Sequence, residues 1–282
     1  MKTNEMFGDK PIFSAELFPP KKSGNLEGVI RALRDITPLK PNFVSITYGA
    51  GGEGAETTAD VASIAKDAFN LETVAHMTAV NMTIDKLETQ LEILKRKEIE
   101  NILVLRGDIT ANSCFYNFKH ASDLALYIKT HHPDFNLIGA CYPEKHQEAT
   151  SLDQDIDNLK IKVDCGISQL ITQLFYDNQS FYVFREKLAK AHIFLPLEAG
   201  IMPIASRTTV TKTVALSGAK LPEKLQKIVE NPNDDELKEN GINFAIEQIG
   251  DLIANGVQGI HLYTMNKAEI ATRIFSAFKE LR

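Results

Sequence analysis

Cysteine is scarce in this chain, with Cys114, Cys141 and Cys165 the only three among 282 residues and no CxxC spacing among them. Such an odd, unpaired set excludes a disulfide framework and a zinc ribbon and fits a reduced, cytoplasmic protein. Long apolar runs are missing too. The first residues, MKTNEMFGDKP, contain no apolar signal core, and no stretch approaches the ~18 apolar residues of a membrane span, so no membrane partner is expected. Basic charge is not in excess. With 31 Lys and Arg against 37 Asp and Glu, the formal charge of -6 offers no general attraction to phosphate backbones, which removes nucleic acid from the expected partners. Only 16 Gly and 11 Pro are present, too few for a collagen-like or low-complexity chain.

What is present is material for a core. The residues are 44% hydrophobic and 24% charged, as in an ordinary globular protein, and 282 residues accommodate one α/β barrel of about 250 residues with some extra structure. Short β-rich runs recur at 11–18, 42–48, 72–78, 101–106, 136–142, 169–176, 195–202 and 259–265. Each is followed by a longer amphipathic segment, the pattern of repeated βα units around a parallel sheet. Eight such runs predict a closed (β/α)8 TIM barrel forming one domain over 1–282. Val29, Leu33 and Ile36 share one face of the first helix, and Leu152, Ile156, Leu159 and Val163 share one face of the fifth. The segment 218–257 is longer than one crossover requires and predicts an extra helical insertion before the last strand.

In such a barrel, function is built at the C-terminal ends of the strands. Those ends carry Glu16, Thr47, His76, Arg106 with Asp108, Tyr142 with His146, Gln173, and Tyr263. Any one of them is equally well explained as a polar residue exposed at a strand end for solubility alone, but their coincidence across seven strands points to a binding face. In SAELFPP, alternation sets Glu16 and Phe18 opposite Ala15 and Leu17, so Glu16 is either a surface carboxylate or a carboxyl aimed into the barrel. In the second case desolvation favours its protonated form and makes it a candidate general acid. After LVLR, Gly107 permits close backbone approach to a ligand, and Arg106 and Asp108 present opposite charges there, as ligand contacts or as a structural ion pair. Asp155, Asn158 and Lys162 form a polar stripe on the fifth helix, either solvated surface or a contact for pyrophosphate and ribose.

Two motifs mislead. GAGGEG at 49–54 matches GxGxxG, yet the acid that should end the next strand of a dinucleotide fold, Glu72, begins it instead. Cys141, Glu144 and His146 lack a second cluster, so no metal is expected.

The runs FSAELFPP, KPNFVSITYGAGG, LVLRGD, CYPEKHQEA and ITQLFYD, in this order, resemble the methylenetetrahydrofolate reductase family, and the resemblance extends from about Phe13 to Phe278. It implies a barrel that binds FAD noncovalently, with NAD(P)H and 5,10-methylenetetrahydrofolate taking turns at the flavin in ping-pong fashion to yield 5-methyltetrahydrofolate for methionine synthesis. By matching motifs, the flavin site comprises Thr47, Tyr48, Ala50, His76, Arg106, Gly107, Asp108, Ala121, Tyr142, His146, Ala149, Asp155, Asn158 and Lys162. Glu16 matches the general acid that protonates folate N10 and opens the imidazolidine ring to a 5-iminium cation. Asp108 matches the carboxylate that stabilises this cation. The implied substrate contacts are Glu16, Thr47, Asp108, Gln173, Tyr263 and Lys267.

Some positions depart from the family pattern. Ile161 stands where an Arg is frequent, Thr213 where a Phe helps sandwich the substrates, and Lys267 where an Arg is common; these bear on affinity more than on reaction type. The chain stops at the barrel, which implies no regulatory domain and no adenosylmethionine inhibition, and the family suggests a homo-oligomer. Two other readings remain: a flavin-free nicotinamide dehydrogenase, resting on GAGGEG alone, and a non-catalytic barrel binding folate or a partner, against which both Glu16 and Asp108 argue.

Overall fold

Eight short segments buried on both faces form the strands β1 Ile12–Leu17, β2 Phe43–Ile46, β3 Thr73–Thr78, β4 Asn101–Leu105, β5 Asn136–Cys141, β6 Gln169–Thr172, β7 Leu197–Ile201 and β8 Gly259–Tyr263. Burial on both faces is the condition under which parallel sheets form, and it explains why these runs are nearly continuous in apolar residues. Each strand pairs in parallel with the next, and β8 pairs with β1, closing the barrel. The computed structural model describes residues 1–20, 25–48, 55–111 and 113–281, and the GAGGEG motif and Ala50 lie outside them.

The outer helices are α1 Glu27–Ile36, α2 Ala55–Phe69, α3 Ile84–Arg96, α4 Ala121–His131, α5 Leu152–Asp164, α6 Asn178–Lys190, α7 Arg207–Ser217, α8 Glu223–Glu230, α9 Asp234–Ala254 and α10 Ala268–Ala277. Val29, Leu33 and Ile36 are buried against the barrel as their spacing predicts, as are Ile156 and Leu159, whereas Leu152 and Val163 are only half-buried at that face. Side-chain caps start several helices. Ser151 accepts from the backbone N–H of Gln154 at α5, and Asp177 accepts from that of Gln179 at α6.

The predicted insertion is present, with different limits. The run 234–254 does not lie outside the ring: as α9 it packs between α6 and α10 and is the crossover helix that leads to β8. The added helices are α7 and α8, which share with the ends of β6 and β7 and the first turn of α9 a second apolar cluster including Leu174, Met202, Ile204, Val210, Leu225 and Leu237. Gly241 allows α9 to approach this layer, since a Cβ there would sit 1.9 Å from the Ile204 carbonyl oxygen.

Alternation divides the strand residues into two sets. Phe13, Ala15 and Leu17 of β1 face the helices, and Ile12 lies in the interior cluster with Phe43, Val74, Leu103, Ile138 and Ile171. Above and beside that apolar layer the interior is polar, with Ser14, Glu16, Ser45, His76, Gln169, Glu198 and His261 all buried. The opposite end of the barrel is closed by the N-terminal segment, whose buried Thr3 bonds to Asn101, Asn136 and Gln169.

Candidate active site

Glu16 lies one residue before the end of β1 and is 8% exposed, so its carboxyl points into the barrel and is not a surface group. Register explains its company. Glu16 stands opposite Tyr263 on β8 and Ser45 on β2, and Ser14, one inward position below, stands opposite His261. Glu16 Oε2 is 3.7 Å from His76 Nε2 and 3.8 Å from His261 Nε2, ion-pair separations and not hydrogen bonds. Burial holds the His76 imidazole down at about 4; the nearby Glu16 opposes that shift and His261 adds to it.

A second group gathers beyond β4 and β5. Gly107 has φ +88, and a Cβ there would lie 2.4 Å from Val80 Cγ1, so this turn admits only glycine without strain. Arg106, which precedes it, makes a two-pronged bond to Glu148 at 2.6 and 3.0 Å. The partner of a structural pair is therefore Glu148, a residue not singled out in the sequence, and Asp108 stands exposed with its backbone carbonyl taken by the Ser113 hydroxyl. Tyr142 and His146 meet edge to face at 4.8 Å between centroids. Burial pushes the Tyr142 phenol up to about 12, and the Asp155 charge reinforces the shift. Burial, with the Arg106 charge behind it, lowers His146.

The stripe on α5 is divided by tertiary contact. Asp155 Oδ2 accepts from the backbone N–H of His146 at 2.9 Å, and burial raises its pKa against that bond. Lys162 is not a solvated lysine. Its Nζ donates to the Ala140 carbonyl of β5 at 2.7 Å, and desolvation lowers its pKa. Asn158 is exposed beside them. Ala121 and Ala149 are buried small residues, at the start of α4 and in the loop before α5. Thr47 is buried just past β2, and the neighbouring Tyr48 hydroxyl accepts from Gln90 Nε2 at 3.0 Å.

The expected substrate residues do not all converge. Gln173 turns its amide oxygen onto the backbone N–H of Leu174 at 2.9 Å. The Tyr263 hydroxyl donates to the Thr172 carbonyl at 2.7 Å, and Gly200 makes room for that ring, because a Cβ there would lie 2.8 Å from it. Lys267 is exposed at the start of α10, in a groove of about 420 Å³ shared with Arg31, Asp35, Lys238 and Glu269. Thr213 is half-buried on α7. Reading the strand ends alone missed Ser14, Glu198 and His261. Their signal was a polar residue two positions from another along a strand, in S-A-E and H-L-Y, and a lone carboxylate within the buried run LEAGI.

The methylenetetrahydrofolate reductase family profile matches residues 2–279. The 5,10-methylenetetrahydrofolate reductase of Escherichia coli is 34% identical over 263 residues, 93% of this chain and 88% of that protein. The chain belongs to the methylenetetrahydrofolate reductase family. Methylenetetrahydrofolate reductase 1 of Schizosaccharomyces pombe is 35% identical over 92% of this chain and 44% of its own length. Methylenetetrahydrofolate reductase (NADH) 1 of Arabidopsis thaliana is 34% identical over 90% of this chain and 46% of its own length. The chain thus spans about half the length of these eukaryotic relatives. Among solved structures, a Clostridium thermocellum protein described as binding two copies of 5-methyl-5,6,7,8-tetrahydrofolic acid shares the fold, with a TM-score of 0.67 at 16% identity over 96% of both chains.

Proposed function

We propose that this chain reduces 5,10-methylenetetrahydrofolate to 5-methyltetrahydrofolate in ping-pong through FAD, with NADH as donor in preference to NADPH. In this reading it is a one-domain catalytic barrel that works in the cytoplasm as a homo-oligomer and feeds methionine synthesis. The observation that carries the reading is the buried Glu16 carboxyl between two imidazoles, in a chain whose relatives are named for this reduction.

The mouth of the barrel fits a flavin on grounds of its own. His76 Nε2 and Thr78 Oγ1 are buried side-chain atoms without a hydrogen-bond partner among the described residues, a cost that a bound polar ring edge would relieve. When bound, FAD supplies the two-electron carrier between the nicotinamide and the folate. Thr47, Tyr48, His76, Gly107, Tyr142, His146, Asp155 and Lys162 would hold it, together with Ala50, Arg106, Ala121, Ala149 and Asn158. Neutral His76 can donate or accept without adding charge to the site. Glu16, buried at the mouth, is placed to deliver a proton to folate N10 as the ring opens. Asp108 offers a fixed negative charge to the cation that results. Gln173, Tyr263 and Lys267 complete the substrate side, and the first two would have to exchange their present backbone partners to reach it.

The test is the visible spectrum of the purified protein. A yellow protein that NADH bleaches and methylenetetrahydrofolate recolours supports the reading. A colourless protein with nicotinamide-linked activity favours a flavin-free dehydrogenase, and folate binding without recolouring favours a non-catalytic barrel.

A further inference from the structure

Below Glu16 the barrel holds a second carboxyl that the proposed reaction does not use. Glu198, on β7, is fully buried; its Oε1 accepts from Gln169 Nε2 at 2.8 Å and its Oε2 lies 2.5 Å from Ser14 Oγ. Ser14 Oγ is in turn 2.7 Å from His261 Nδ1, and His261 Nε2 faces Glu16 Oε2 at 3.8 Å and Ser45 Oγ at 3.5 Å. The path Glu198, Ser14, His261, Glu16 is continuous inside the barrel, with one gap that a shift of about 1 Å at Glu16 would close to hydrogen-bond length.

A hydroxyl has a single hydrogen, and that constraint couples the two ends. If Ser14 donates to an ionised Glu198, then His261 Nδ1–H must donate to Ser14, and the bare Nε2 faces Glu16, which must then carry the proton. If Glu198 is the acid and donates to Ser14, then Ser14 donates to Nδ1, and Nε2–H faces an ionised Glu16. We propose that Glu16 and Glu198 share one proton through His261 and Ser14, so that Glu198 stores the proton that Glu16 delivers to substrate. This inference rests on the reading of Glu16 as general acid.

The transfer balances without any change of oxidation state. The Glu198 O–H bond breaks as an O–H forms on Ser14, the original Ser14 O–H breaks as N–H forms at His261 Nδ1, and His261 Nε2–H breaks as O–H forms on Glu16. Glu16 then gives that proton to the substrate nitrogen, and after product leaves, a solvent proton entering at the mouth runs back along the same path. Storage matters because one mouth must serve two substrates in turn, and the acid is needed only by the one that covers it. Burial raises the pKa of Glu198 and favours its neutral form at rest; the Ser14 and Gln169 hydrogen bonds oppose that shift, as would a charge on His261, which neither arrangement carries. The other titratable groups facing the path are His76, held neutral by burial, and Tyr263, whose phenol is raised and stays protonated.

Ser14, His261 and Glu198 are positioning residues, and the test must move something a structural role would not. The folate half-reaction is followed by rapid mixing across pH in the original protein, Ser14→Ala, Glu198→Gln and Ser14→Thr. The expected result is that Ser14→Ala and Glu198→Gln both move the alkaline limb of the rate to lower pH by about one unit, a loss of about tenfold on that limb. Ser14→Thr, which keeps the hydroxyl, restores the original limb. Flavin content and the rate of reduction by NADH stay the same at each pH. Infrared difference spectra should show a protonated-carboxyl band that persists in Ser14→Ala and vanishes in Glu198→Gln. Profiles of Ser14→Ala and Glu198→Gln that superimpose on the original after scaling overturn the shared proton. If Glu198→Gln does not fold, the Ser14→Ala and Ser14→Thr pair decides alone. A superimposable Ser14→Ala profile beside an inactive Glu16→Gln defeats only the sharing, whereas a fully active Glu16→Gln defeats the reading of Glu16 itself.

Discussion

His76 Nε2 lies 3.7 Å from Glu16 Oε2, yet the imidazole stays neutral, with its pKa held at about 4. The carboxylate favours the charged ring, but the loss of water around a buried imidazole is the larger effect, and His261 opposes the charge as well. A buried neutral histidine at a binding mouth carries a stability cost that appears only in acid.

In the unfolded chain His76 takes up its proton near pH 6.5, and in the folded chain only near 4. Between those values the unfolded state binds the proton that the folded state refuses, so stability present above about pH 6.5 is lost as pH falls through 4. The loss attributable to this residue is about 3 kcal/mol at most. Urea unfolding across pH should show a shallower acid slope for His76→Gln, and equal slopes would mean that His76 does not titrate in this way.

Glu16→Gln removes the acid while preserving shape. We expect FAD content and reduction by NADH to persist and transfer to folate to slow by about 10² to 10⁴. Turnover of methylenetetrahydrofolate at the original rate would remove Glu16 from the role.

Asp108 is exposed, so its charge acts strongly only when ligands cover it and exclude water. A fixed negative charge hinders the arrival of electrons nearby and favours a developing cation. We expect Asp108→Asn to raise the flavin reduction potential, leave reduction by NADH intact or faster, and slow transfer to folate by about 10², equivalent to about 2.7 kcal/mol. Equal slowing of both half-reactions together with lost FAD would instead mark Asp108 as a flavin anchor.

The Tyr263 hydroxyl satisfies the Thr172 carbonyl from inside the barrel. Tyr263→Phe should therefore lower the unfolding free energy by about 1 kcal/mol. If it raises the KM for folate with no change in unfolding midpoint, the hydroxyl serves the substrate and not the barrel.

Much of this was legible in the sequence, for local reasons. Strands buried on both faces read as short β-rich runs, and strand order alone places Glu16, His76, Arg106, Tyr142 and Tyr263 at one end of a closed barrel. Alternation told that Glu16 and Leu17 point opposite ways, and gave no means of choosing which of them faced inward. That choice, and the height of each residue against its neighbours, came from closure. Ser14 meets His261 across 247 positions of sequence only because β8 returns to β1 in the register that pairs them. Likewise Arg106 chooses Glu148 over Asp108, its closer neighbour in sequence, and Lys162 turns from the solvated stripe to the Ala140 carbonyl, because each group settles where packing and hydrogen bonding leave it a partner. Periodicity is a property of one segment, and it survives in the sequence; register and pairing belong to two segments at once, and only the folded barrel decides them.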